Sequence, residues 1–368
     1  MAENKTRLHR LRDHGQSAWV DYLSRPFVRD GELAELVRQG VTGVTSNPTI
    51  FQGAIADSDA YDAQLTVLAN EDLGPKDAFL TLARDDIRAA CDELRPAWDH
   101  GSGRDGRVSL EVDPHLAYDA EATIAEATRL HAMVERPNLY VKIPATEPGL
   151  VAIEETIARE IPVNVTLCFS IERHRAVCEA YLRGLRRLRE EGGDLRRVAS
   201  VASFFVSRVD TEADRRLDEV GGHDELRGTL AIANARLAYR TYQEVFSGDE
   251  WSQLALEGAS SQRCLWASTS TKDPAYSDVR YVEQLIGPET VDTMPPDTIA
   301  AFLDHGEVGE TLTAGVDAAQ RTLEAFARAG VDYGDVTATL EREGVQRFAD
   351  SFDQLFEDVE RKRHALTA

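Results

Sequence analysis

Cysteine is scarce in this 368-residue chain, with four in all: Cys91, Cys168, Cys178 and Cys264. None forms a C-x-x-C pair and none stands at zinc-ligand spacing from a histidine, so neither a disulfide scaffold nor a structural zinc module is encoded. The nine histidines are scattered, with no H-E-x-x-H. No window approaches ~18 consecutive apolar residues, which excludes a membrane-spanning helix. The opening "MAENKTRLHRLRDHG" lacks the apolar core of a secretory signal. The simple expectation is a reduced, cytoplasmic protein, in which the sequons at Asn4 and Asn164 carry no glycosylation meaning. Positive charge is also in short supply, 41 Lys and Arg against 64 Asp and Glu, for a net charge of −23. Such a chain repels nucleic acid and anionic membrane surfaces, so neither is an expected partner. A phosphorylated small molecule stays allowed, because a few cations in a cavity outweigh surface charge more than a Debye length away.

What the chain does have is alternation. Eight short β-branched segments, at 17–23, 40–46, 107–113, 138–144, 161–169, 197–205, 263–269 and 289–294, are each bounded by Gly, Pro, Asn, Asp or Ser. Between them run segments of helical period, for example "DGELAELVRQG" with Asp30 as cap and Gly40 as stop, and "SIERHRAVCEAYLRGLRRLREE" opened by Ser170. Strand and helix alternating eight times predict a parallel sheet closed into a (β/α)8 TIM barrel. Extra helical insertions at 52–106 and 225–262 and a helical C-terminal tail at 307–368 read as decorations on a single domain spanning 1–368. The G-x-G-x-x-G match "GSGRDG" at 101–106 precedes a strand instead of following one, so it reads as a flexible turn, not a dinucleotide fingerprint.

Polar residues near the strand ends need a reason, because barrel strands are buried on both sides and barrel chemistry sits at their C-terminal ends. They are Asp21, Asn47, Glu111 with Asp113, Lys142, Asn164 with Thr166, and Ser203. Lys142 is central, lying between Val141 and Ile143 in "LYVKIPAT". A lysine in a partly dry site gives up its proton more readily, and the neutral amine attacks carbonyls to form a Schiff base. Asp21 and Glu111 are candidate proton carriers, and Asn164 and Thr166 share one face of their strand. Arg208, where the helix after the sixth strand should begin, and Lys272 in "STSTKDP" are candidate anion-binding cations. Phe204 and Phe205 read as core. Spacing alone leaves plainer readings open: Lys142 snorkelling to the surface or paired with Asp21 or Glu111, a satisfied Asn164–Thr166 ladder, and Arg208 paired with Asp210.

The motifs "GVTSNPTIF", "SLEVDP", "LYVKIPAT", "NVTLCFS", "SFFVSR" and "WASTSTKDPAYSD", in this order, resemble the transaldolases in their long bacterial form, from about residue 15 to about residue 360. The resemblance implies a class I Schiff-base barrel enzyme with no cofactor and no metal, acting on sugar phosphates in the non-oxidative pentose phosphate pathway. The implied reaction moves a dihydroxyacetone unit from sedoheptulose 7-phosphate to glyceraldehyde 3-phosphate, giving erythrose 4-phosphate and fructose 6-phosphate. Lys142 matches the Schiff-base lysine, and Asp21 the acid/base at the sugar C4 hydroxyl. Glu111 and Thr166 match the pair that positions a water. Asn47, Asn164 and Ser203 match the groups that hold the dihydroxyacetone moiety, and Arg208 a phosphate-binding arginine. For a second phosphate cation the sequence offers Arg263 and Lys272. The tail at 350–363 is a candidate cover that keeps water from the intermediate. An aldolase that releases free dihydroxyacetone from fructose 6-phosphate is the alternative activity, and both a monomer and a homodimer remain open.

Overall fold

In the computed structural model residues 5–367 are described, so the sequon at Asn4 lies outside them. The eight strands are β1 (Gln16–Val20), β2 (Val41–Val44), β3 (Arg107–Glu111), β4 (Leu139–Pro144), β5 (Val163–Cys168), β6 (Ser200–Phe205), β7 (Arg263–Ala267) and β8 (Thr290–Met294). All neighbours pair in parallel and β8 closes on β1, so the expected TIM barrel is the observed one. Every strand is shorter than its sequence window. Residues just past the strands' C-terminal ends, such as Asp21 after β1 and Asn47 after β2, form the loops of the C-terminal rim.

Local chemistry builds that rim. Asn47 caps the helix Pro48–Ala56, accepting from the Ile50 N–H, and Thr146 caps Glu147–Ala158, accepting from the Gly149 N–H. Each puts a proline in the first turn, where its missing N–H costs nothing. The "IPAT" segment is therefore a sharp strand-to-helix turn that leaves Lys142 two residues below the end of β4. Ser170 caps Ile171–Glu190 as expected, and Gly40, at φ 116°, ends Glu32–Gln39. Asp30 does not cap that helix. It ends a short preceding helix, Arg25–Arg29, and Gly31 at φ 85° opens the next.

The insertion windows are helical. Asp62–Leu68, Pro75–Glu93 and Arg95–His100 fall in the first, Leu230–Val245 and Asp249–Leu256 in the second. The tail holds Val316–Arg328 and the long helix Tyr333–Thr367. Among the described residues no helix is long and apolar enough to cross a membrane. The "GSGRDG" turn is not loose: Asp105 within it accepts from Ser17 Oγ at 2.9 Å and pairs with Arg263 at 3.0 Å, pinning the turn under the barrel floor.

Inside the lumen Trp19 lies against Gly43, where an added Cβ would fall 2.4 Å from the indole. Gly43→Ala would overpack this floor, at a cost of about 1–3 kcal/mol. Asp292 on β8 is fully buried. Its Oδ1 accepts from Thr269 Oγ1 at 2.9 Å, and its Oδ2 has no partner. Burial raises its pKa from 3.8 to about 7. The fold thus favours the neutral carboxyl: this stabilisation is whole below pH 3.8 and is lost as pH rises through about 7. Asp292→Asn is expected to raise the Tm by a few degrees at pH 8 and to change it little at or below pH 3.8. A lower Tm at pH 8 would reject this reading.

Candidate active site

Lys142 lies in the lumen, 5% exposed, so it does not snorkel. Its Nζ stands 3.1 Å from Glu111 Oε2 and donates to the Ser46 carbonyl at 3.1 Å. Register explains the pairing, since Glu111 on β3 is aligned with Lys142 on β4, and Lys142 with Asn164 on β5. Burial raises the pKa of Glu111 despite the neighbouring ammonium, which makes its carboxylate a better proton acceptor than an exposed one. Asp21 is raised too, again by burial and against the pull of Lys142. Its Oδ1 accepts from Thr45 Oγ1 at 2.7 Å, and Thr45 in turn meets Thr293 Oγ1 at 2.7 Å.

Asn164 is held from both sides. Its Nδ2 donates to Ser109 Oγ at 3.0 Å, and Ser203 Oγ donates to its Oδ1 at 2.7 Å. Completely buried, Asn164 is no glycosylation site. Thr166 breaks the ladder reading, because its buried Oγ1 has no partner. The next residue, Leu167, sits at φ 57° where the β5–β6 register slips, a conformation costly for a bulky side chain and one that clusters at functional rims.

A cavity of about 190 Å³ opens above Lys142. Asp21, Asn47, Lys142, Thr166, Ser203 and Arg208 all line it. Glu111 and Asn164 do not. They touch it through Lys142 and Ser203. Arg208 sits in the first turn of the helix Ser207–Val220 with its guanidinium 5.2 Å from the Phe205 ring. It makes no pair with Asp210, which accepts instead from the Ala231 N–H and Tyr281 Oη. Lys272 also lines the cavity, its Nζ donating to Ser270 Oγ at 2.7 Å. A cavity with an amine at its base, a carboxylate on its wall and two cations that form no ion pair among the described residues suits a small carbonyl compound bearing a phosphate.

A family model described as Transaldolase/Fructose-6-phosphate aldolase matches residues 18–359. The chain belongs to this family. It is 50% identical over 357 residues to "Transaldolase 2" of Streptomyces coelicolor, covering 96% of both chains. It is 52% identical over 354 residues to "Transaldolase" of Saccharopolyspora erythraea, again 96% of both. To "Transaldolase" of Thermobifida fusca it is 50% identical over 364 residues, covering 98% of this chain and 99% of that one.

Against this family background three sequence expectations need correction. Arg263 opens β7 at the opposite, N-terminal mouth and is locked to Asp105 and Ser17, so it lies far from any phosphate held by Arg208. Asp113 turns away from the lumen to Lys76, at 2.7 Å, and His115, at 2.8 Å. Phe204 is core, packed edge-on against Trp266, but Phe205 lines the cavity. Sequence reasoning missed Phe348, which stands 5.6 Å from Lys142 Nζ and 6.0 Å from the Arg208 guanidinium, two residues before the stretch expected as cover. The signal was there: Val345, Phe348, Phe352, Leu355 and Val359 recur at helical spacing and are all buried.

Proposed function

We propose that the protein is a transaldolase that moves a dihydroxyacetone unit from sedoheptulose 7-phosphate to glyceraldehyde 3-phosphate through a Schiff base on Lys142. The observation that carries this reading is the buried Lys142 amine beside Glu111, at the base of a cavity shared with Asp21, Arg208 and Lys272. Lys142 Nζ adds to the donor's C2 ketone, and loss of water gives the protonated imine. Asp21 takes the C4 hydroxyl proton, the C3–C4 bond breaks, and its electron pair is drawn to C3 as the enamine while the aldehyde leaves. The acceptor aldehyde then forms the new bond at C3, and Asp21 returns a proton to the new alkoxide. Glu111 takes and returns the protons of imine formation and hydrolysis, and the unpartnered Thr166 hydroxyl is suited to hold the water involved. Ser203 and Asn47 hold the three-carbon hydroxyls, and Asn164 acts through Ser203, whose hydroxyl it orients. Arg208 takes the phosphate, and Lys272 is the second cation.

The reading takes the whole chain as one cytoplasmic barrel domain, since the last helix returns to line the lumen cavity. Borohydride added with fructose 6-phosphate is expected to reduce the imine and leave a three-carbon tag on the Lys142 peptide, read by mass spectrometry. An unmodified peptide under turnover would reject the mechanism. The family's description also names fructose-6-phosphate aldolase, and free dihydroxyacetone released at the transfer rate without an acceptor would favour that activity.

Phe348 closes the mouth over the amine. Phe348→Ala is expected to admit water, so that protonation of the enamine at C3 and hydrolysis of the imine release dihydroxyacetone. The ratio of free dihydroxyacetone to transferred product should rise several-fold over wild type. An unchanged ratio would remove Phe348 from the cover.

A further inference from the structure

The N-terminal mouth of the barrel has its own unexplained charge. Arg107 opens β3 and is 3% exposed, in the lumen at the end opposite Lys142. Its Nε donates to the Gly103 carbonyl at 2.8 Å and its Nη1 to the Pro137 carbonyl at 3.2 Å, and the guanidinium lies 4.7 Å from the Tyr140 ring centre. These partners are all neutral. The acid nearby, Asp105, is already taken by Arg263 and Ser17. A guanidinium does not shed its proton, so the fold keeps a buried positive charge with no counter-ion among the described residues.

A cavity of about 420 Å³ lies beside it. Two N–H groups meet around Gly103, where a Cβ would sit 3.4 Å from Trp98 Nε1 and 3.5 Å from Arg107 Nη2, and the buried Trp98 Nε1 has no partner among the described residues. Buried donors are nearly always satisfied, so the open Trp98 N–H, beside a guanidinium with no counter-ion, points to an acceptor that arrives from outside. Arg136, Arg196 and Arg197 also line this cavity, but each is paired, with Asp92, Asp194 and Glu160, so Arg107 is the lining arginine left without a carboxylate among the described residues. Trp98, Pro137 and Pro162 add flat apolar wall.

We propose that this mouth is a second ligand site, for a small organic phosphate, with Arg107 and the Trp98 indole N–H as its primary donors. The phosphate sits against Gly103, and the carbon body rests on the Trp98 and proline surfaces. The site is separate from the Lys142 cavity, since the floor formed by Trp19 and Tyr140, 6.1 Å apart, lies between them.

Phenyl phosphate is the probe, titrated by calorimetry into the Arg208→Ala variant, which weakens the Lys142 cavity's hold on phosphate so that the Trp98 and Arg107 changes report on the second site. One equivalent is expected to bind, tenfold or more weaker after a further Arg107→Gln or Trp98→Phe change. Trp98→Phe keeps the ring and removes only the donor, so it decides the question if Arg107→Gln fails to fold. Absence of binding to Arg208→Ala, equal affinity for phenol, or unchanged affinity in Trp98→Phe would each overturn the proposal.

Discussion

Lys142→Arg is expected to lower transfer activity by roughly 10⁴-fold or more, the scale on which removal of a nucleophile acting with its partners is felt. Arginine keeps the charge beside Glu111, so the variant does not strand a buried carboxylate without its partner, the change that makes broken ion pairs so destabilising. The loss is therefore expected in chemistry, with the fold intact by circular dichroism and with fructose 6-phosphate still bound through Arg208. A guanidinium does not deprotonate, so no imine forms and no borohydride tag appears. Residual activity above about a hundredth of wild type would mean that another group carries the carbon–carbon cleavage.

Asp21→Asn is expected to cost 10²–10⁴-fold in kcat, the usual worth of a positioned acid–base group, with KM little changed. The amide keeps the bond from Thr45 but cannot take the C4 hydroxyl proton. The pH profile separates this role from a structural one. Burial lifts the Asp21 pKa, and the mechanism uses its ionised form, so activity should fall with acid at a higher pH than an ordinary carboxylate would set. In Asp21→Asn that part of the acid limb should vanish. A profile unchanged in shape would assign the proton transfer elsewhere.

The barrel was legible because its signals are local. Turn residues punctuate eight β-branched segments, and a cap such as Ser170 stands where its helix begins. The lumen face of β5 was legible for a related reason: Asn164 and Thr166 are two apart, and alternation puts them on one side. Arg263 was misplaced because a strand's polar residue announces burial but not which end of the barrel it occupies. Only the observed start of β7 decides that. Asp113 failed similarly, since β3 ends at Glu111 and the chain turns outward two residues later. For Phe348 the helical periodicity was readable but its destination was not. Its partners lie more than a hundred residues away, and no local pattern says over which loops a C-terminal helix will fold.

That placement sets an order of assembly. All eight strands leave the ribosome before Tyr333, so the sheet can close around Lys142 while the last helix is still unmade. A nascent chain stalled at that stage, or a mature one clipped ahead of residue 333, would carry an uncapped amine facing the cell's small aldehydes and ketones. Completion of translation is then also the step that shields the nucleophile from them.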